Sequence, residues 1–226
     1  PKLRRGWPFW LAAWFLPAVF TILGALVYFL IFPQDFDANF TYVRQLLSSA
    51  AAAGVVLTPA LYFLIQTAQA VLISPLVNGL FTFGEEFGWR AYLLPKLMPL
   101  GGRRAVLLSG VIWGVWHWPV IAMGHNYGLD YPGYPWLGMG MMVVMCIGLG
   151  IFLSWVTLRS GSVWPAVIGH AAINGISALA ILVTVTGAGN PLVGPYPTGV
   201  LGMTAWVVAS LLILASRTGL KPTEEA

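Results

Sequence analysis

Residues 81–95 read FTFGEEFGWRAYLLP, an apolar run with Glu85, Glu86 and Arg90 set inside it. The rest of the chain is greasy. Of 226 residues, 58% are hydrophobic and 8% charged, and the mean hydropathy is +0.82. A soluble domain carries about 25% charged residues, so the composition reads as a polytopic membrane protein. An ionised group in lipid costs about 3 kcal/mol or more unless it faces a protein interior or a wet cavity. Those three charges, with His117, His170 and Asn174 in other apolar runs, are therefore the first candidates for a functional site.

Crossing a hydrocarbon layer about 30 Å thick takes roughly 20 helical residues. Seven windows meet or approach that length: 9–32, 45–72, 74–95, 105–123, 137–158, 163–184 and 199–216. They are too long and continuous for the alternating strands of an outer-membrane barrel. The predicted fold is all-α, a polytopic transmembrane helix bundle of about seven or eight membrane segments, one domain over 1–226. Pro17, Pro59 and Pro165 are expected to kink or open their windows. The small residues of 48–53 would permit close helix contact. No internal repeat is evident, which weakens a transporter built from inverted repeats.

The net charge of +4 does not point to nucleic acid, because the basic residues stand singly or in pairs at segment ends. Lys2, Arg4, Arg5, Lys96, Arg103, Arg104, Arg159 and Arg217 read as lipid anchors and topology signals. They also raise a conflict. The basic N-terminus, the 96–104 loop, Arg159 and the Arg217/Lys221 tail all favour the inner face, yet alternation through seven spans separates the first from the others. One window, either 45–72 or the segment with the glutamates, is then broken, re-entrant or two short helices. Cys146 is the single cysteine, so a disulfide or Cys-based metal site within the chain is excluded. The first apolar segment is too long for a cleavable signal peptide.

Glu86 and Arg90 are four apart and can form an ion pair on one helix face. Glu85 points about 100° away, with Trp89 rather than a cation one turn on. It is the better carboxylate to turn into a wet cavity as a general base. A structural Glu–Arg lock is the plainer reading of the segment. His117 sits in WGVWHWPV beside Trp113, Trp116 and Trp118, which suit either a site or an interfacial belt. His170 and Asn174 share a helix face and could donate to developing oxyanion charge; helix glue is the alternative. His125, Asp130, Asp35 and Asp37 read as loop residues at the surface. Glu85, His117 and His170 would also serve as ligands if zinc is held, although no H-E-x-x-H motif is present. The cofactor is thus none or zinc.

The motifs Glu85-Glu86-Phe87-Gly88-Trp89-Arg90, Trp113-x-x-x-His117 and His170-x-x-x-Asn174 resemble those of the CPBP family, the CAAX-protease and bacteriocin-processing group of intramembrane endopeptidases. The family pattern is E-E-x-x-x-R, F-x-x-x-H and H-x-x-x-N or H-x-x-x-D; here Trp113 replaces the Phe. The likeness covers about 78–176. It implies an intramembrane protease, glutamate-dependent or a metalloprotease, with Glu85 activating water and His117 as its catalytic partner. His170 and Asn174 would hold the oxyanion, with Glu86 and Arg90 in support. It further implies a protein or peptide substrate, prenylated or otherwise membrane-associated, and leaves prenyl specificity open. The expected location is a prokaryotic cytoplasmic membrane. The competing classes are a transporter or channel with an intramembrane ion relay, and an immunity or scaffold protein that binds without cutting. A hydrolase needs its polar set around one cavity, whereas a transporter needs a path towards both faces.

Overall fold

The computed structural model describes residues 3–52, 56–185, 187, 189–216 and 218–221, and these form an all-α bundle. Lys2, Arg217, and Ala53 of the small-residue run lie outside the described residues. The helices are α1 (Leu3–Ile31), α2 (Thr41–Ala52), α3 (Pro59–Ala68), α4 (Ser74–Val77), α5 (Gly79–Glu86), α6 (Leu94–Leu97), α7 (Gly102–Trp116), α8 (Trp118–Ala122), α9 (Trp136–Ser160), α10 (Trp164–Ile176) and α11 (Thr204–Ala215). Stretches of π-helix, Gln69–Ile73 and Phe87–Leu93, join α3 to α4 and α5 to α6, so Pro59–Leu97 runs as one interrupted helical passage.

Five described helices are long and apolar enough to cross a membrane: Gly6–Ile31, Pro59–Val77, Gly102–Ala122, Trp136–Ser160 and Trp164–Val183. That is consistent with a polytopic membrane protein and falls short of seven or eight. The predicted window 45–72 is not continuous, because α2 ends at Ala52 and α3 starts at Pro59. Thr58 stops the continuity: its hydroxyl accepts from the Leu61 N–H (3.2 Å), capping a helix whose first residue is Pro59. Pro165 likewise lies in the first turn of α10, where the missing N–H costs nothing. The window 199–216 holds only the 12-residue α11.

Helix α9 is the centre of the bundle. Gly110 and Gly114 on α7 let it come close: a Cβ on Gly114 would lie 2.5 Å from the Val143 Cα, and one on Gly110 2.7 Å from the Ile147 Cα. This is the close backbone approach that small residues allow in membranes. On its other side Phe152 packs edge-on against Phe20 of α1 and Trp206 of α11. Helix α10 runs beside α1 and against α4–α5, its interior face carrying Gly169, His170 and Ile173.

Among the described residues the chain passes between the two ends of this bundle six times. At one end the start of α1 meets the end of α9, with Arg159 5.7 Å from the Phe9 ring, and Gly102 at the start of α7 meets Leu220. At the other, the Asp37 N–H donates to Val183 O (2.9 Å) and the Tyr127 hydroxyl to Thr198 O (3.1 Å), linking the loops 32–40, 123–135 and 184–203.

Candidate active site

One face of the second passage is polar at every turn: Asn78, Thr82, Glu86 and Arg90 follow at four-residue steps. The first two fix the register against α10. Asn78 Nδ2 donates to Ala171 O (3.4 Å), and Thr82 Oγ1 to Val167 O (3.0 Å). A turn further on, Glu86 is wholly buried. Its Oε1 accepts from Arg90 Nη1 and from His170 Nδ1, both at 2.8 Å. The predicted Glu86–Arg90 pair is present, and it holds the imidazole of His170 as well. Arg90 is also buried, its guanidinium carbon 4.3 Å from the Trp113 ring centroid, a cation–π contact. The π-helical turn begins at Phe87, directly after the two glutamates; such turns often mark functional positions.

Glu85, rotated off that face, is half-buried and accepts a hydrogen bond from the Trp113 indole N–H at Oε2 (3.1 Å). His117 closes α7. Its backbone N–H bonds Gly114 O (3.1 Å), and its Nδ1–H donates to the Trp113 carbonyl (2.9 Å), which leaves Nε2 as the unsaturated nitrogen of a neutral ring. The sulfur of Cys146 stands 3.7 Å from the same Nδ1, a long contact to a nitrogen already committed to a carbonyl. His170 presents its ring edge to Trp113, centroids 5.2 Å apart.

Glu85, His117, His170 and Asn174 all line one cavity of about 470 Å³. They come from three elements: α5, the end of α7, and α10. Glu86 and Arg90 stand behind the wall rather than on it, consistent with a brace. Other residues complete the site or its frame, and sequence reading gave them a smaller part or none. Trp113 was visible only as an aromatic one turn before His117, yet it touches Glu85, Arg90, His117 and His170. Asn78 and Thr82 could have been found from the four-residue spacing that leads to Glu86. His125 is exposed, as expected of a loop residue, and it also lines the cavity together with Asn126, Pro197 and Thr198. No sequence signal joins those two loops to the motifs.

Among the described residues no three His, Cys, Asp or Glu side chains are grouped so as to hold a metal ion. The Nδ1 atoms of His117 and His170 have protein partners, a carbonyl and a carboxylate, which leaves Nε2 of each ring as the nitrogen that would meet a metal or a substrate.

An apolar helical bundle with a polar cavity sunk among its helices and buried charges braced behind it defines an integral membrane protein with an internal site. The chain belongs to the family described as Type II CAAX prenyl endopeptidase Rce1-like, whose sequence pattern matches residues 64–176, half of the chain. It is 30% identical over 93 residues to a protein of Methanococcus maripaludis named CAAX prenyl protease 2, covering 40% of this chain and 34% of the relative. The match thus spans about a third of that relative's length. No solved structure matches the chain.

Proposed function

We propose that the protein is an intramembrane endopeptidase that hydrolyses a peptide bond with water activated by Glu85, with His170 and Asn174 at the oxyanion. The observation that carries this reading is that Glu85, His117, His170 and Asn174, from separate elements, line one cavity. The carboxylate of Glu85, oriented by the Trp113 N–H, takes a proton from water while the Nε2 lone pair of His117 accepts the second water hydrogen. The water oxygen bonds to the carbonyl carbon, and the carbonyl electron pair moves onto oxygen. Asn174 donates its amide N–H to that oxyanion. His170, with Nδ1–H held by the Glu86 carboxylate, donates through Nε2 when its ring carries both protons. The tetrahedral species collapses, the C–N bond breaks, and Glu85 returns its proton to the leaving amine. A donor held in place before reaction, as His170 is by Glu86, supplies part of the stabilisation such a step needs.

The substrate is proposed to be a protein or peptide held at or in the membrane, with a prenyl group as one candidate anchor, suggested by the relative's name. The protein is proposed to sit in the cytoplasmic membrane of a prokaryote, with α11 and the Gly79–Leu97 stretch embedded beside the five longer helices. The hydrolase reading is preferred to the transporter one because the lining of this cavity gathers the four candidate residues and includes none of 96–104, 159–163 or 218–221.

Incubating membrane peptides, with and without a prenyl group, with the detergent-purified protein in ¹⁸O-water tests the reaction. Mass spectra are expected to show paired new termini with ¹⁸O in the new carboxylate, unchanged by chelator. Intact peptides throughout, or products equally abundant with Glu85→Gln, would contradict the reading. A chelator-sensitive reaction with bound metal would restore the zinc alternative.

A further inference from the structure

A second set of polar side chains stands in the membrane away from the cavity of Glu85. The span Pro59–Val77 is the least covered of the five candidate spans, and it carries Tyr62, Gln66, Gln69 and Ser74. Spacings of four and three put the first three on one face of the helix. Ser74, five residues beyond Gln69, would leave that face of a regular α-helix. The π-turn Gln69–Ile73 restores it: the Ser74 N–H bonds Gln69 O, five residues back, so the two side chains stay in one row. All four line a cavity of about 210 Å³, shared with Gly175 and Ala178 at the end of α10. Thr67, in the same helix, donates to Phe63 O (2.8 Å), whereas the side chains of these four have no hydrogen-bond partner among the described residues. Gln69 is exposed and the other three are half-buried. Their depth follows from Trp14, in the interior of the span Gly6–Ile31, whose indole N–H donates to Val71 O (2.8 Å). Gln66 and Gln69 therefore lie within the hydrocarbon layer, where an unpaired carboxamide is costly.

The lining of this second cavity carries no charge, so it does not suit an ion, a phosphate or a carboxylate. Two carboxamides and two hydroxyls both donate and accept, which is what a peptide backbone requires. A polypeptide in lipid must satisfy its N–H and C=O groups, and where its helix is interrupted those groups pair with side chains of a neighbour. Position ties the row to the candidate active site. Gly175 lets Ser74 pack directly on α10, since a Cβ there would lie 2.4 Å from the Ser74 Cβ. Asn174 and Ser177, on the other side of the same turn, line the cavity with Glu85. We propose that Tyr62, Gln66, Gln69 and Ser74 form a docking site for a non-helical stretch of a membrane-embedded peptide substrate, holding its backbone beside the last turn of α10. The word "substrate" rests on the hydrolase reading; the recognition of an interrupted backbone does not.

Binding in lipid vesicles tests the site without turnover. The protein carries Glu85→Gln, and the probe is a dansylated Leu/Ala transmembrane peptide broken at its centre by Gly-Pro; the same peptide without the break is the control. Energy transfer from the protein's tryptophans to the dansyl group reads binding. The broken peptide is expected to bind more tightly than the control, and Gln66→Leu with Gln69→Leu should weaken it about tenfold while leaving the control unchanged. Gln69→Leu alone, at an exposed position, should give part of that loss at an unchanged Tm, which separates docking from folding. Equal binding of the two peptides, or binding of the broken one that survives the double substitution, overturns the proposal. Chemical cross-linking of a dimer without peptide, abolished by the double substitution, assigns the row to a second copy of the chain and also overturns it. Binding and cleavage fail separately. Gln-dependent binding without any cleavage by the wild type upholds the docking site and counts against the hydrolase reading, whereas cleavage at equal kcat/KM by wild type and the double variant does the reverse.

Discussion

Trp113 joins the elements of the site. Its indole N–H is the hydrogen-bond partner of Glu85, its carbonyl that of His117, and its ring lies under Arg90 and against His170. A Phe here, the residue usual in the resembling motif, would keep the packing and lose the donor. A hydrogen bond to a charged group contributes about 1.5–3 kcal/mol, so Trp113→Phe should lower kcat roughly 10- to 100-fold with KM little changed, measured by steady-state peptide cleavage. Cys146→Ala should leave cleavage near wild type in the same assay, because the thiol is buried and its histidine neighbour is already engaged; loss of activity would instead favour a thiol nucleophile. Glu86→Gln leaves Arg90 buried without its counter-charge, and breaking such a pair costs about 3–5 kcal/mol. The expected readout is a marked fall in Tm of the detergent-solubilised protein. Glu85, His117, His170 and Asn174 could be picked out as candidates from sequence because a polar group in an apolar run is costly. Trp113 stood out only as the aromatic of the Trp113-x-x-x-His117 motif; its contacts with Glu85, Arg90 and His170 required the tertiary structure.

Among elements, the α7–α9 contact is the tightest and is built on glycine. Gly114→Ala would press a methyl against the Val143 backbone, where nothing flexible can yield, and overpacking of this kind costs about 1–3 kcal/mol. Gly88→Ala, whose methyl would meet nothing within 4 Å, should be neutral or slightly stabilising when the two Tm values are compared. The start of α2 carries a pH-dependent contact. Asp37 accepts the backbone N–H groups of Thr41 and Asn39, and these bonds, that to Thr41 foremost, hold its carboxyl below the usual carboxylate range. The contribution is full above pH about 4 and is lost as pH falls through the lowered folded value. The Tm gap between wild type and Asp37→Asn should therefore be widest near neutrality and close in acid. Helix type and most windows were legible from hydropathy. The break before Pro59 was legible only as one of two candidate windows, and the π-helical turns were not legible at all, because an apolar run reads the same whether its helix is regular or widened by one residue.

For the molecule as a whole, sequence exposed a contradiction between charge placement and a seven-span count, and the separation of α2 from α3 divides one of the seven windows. What no linear reading supplied was the cavity, which requires α5, α7 and α10 to converge and two distant loops to meet at its mouth. That convergence turns separate polar residues into one site, and the reaction proposed for it depends on Glu85 above all. The direct measurement is single-turnover cleavage of one membrane peptide by wild type and by Glu85→Gln, reconstituted in the same vesicles at matched Tm. General-base catalysis contributes about 10²- to 10⁴-fold, so the variant should be slower by at least about 100-fold. Equal rates from the two proteins would contradict the account.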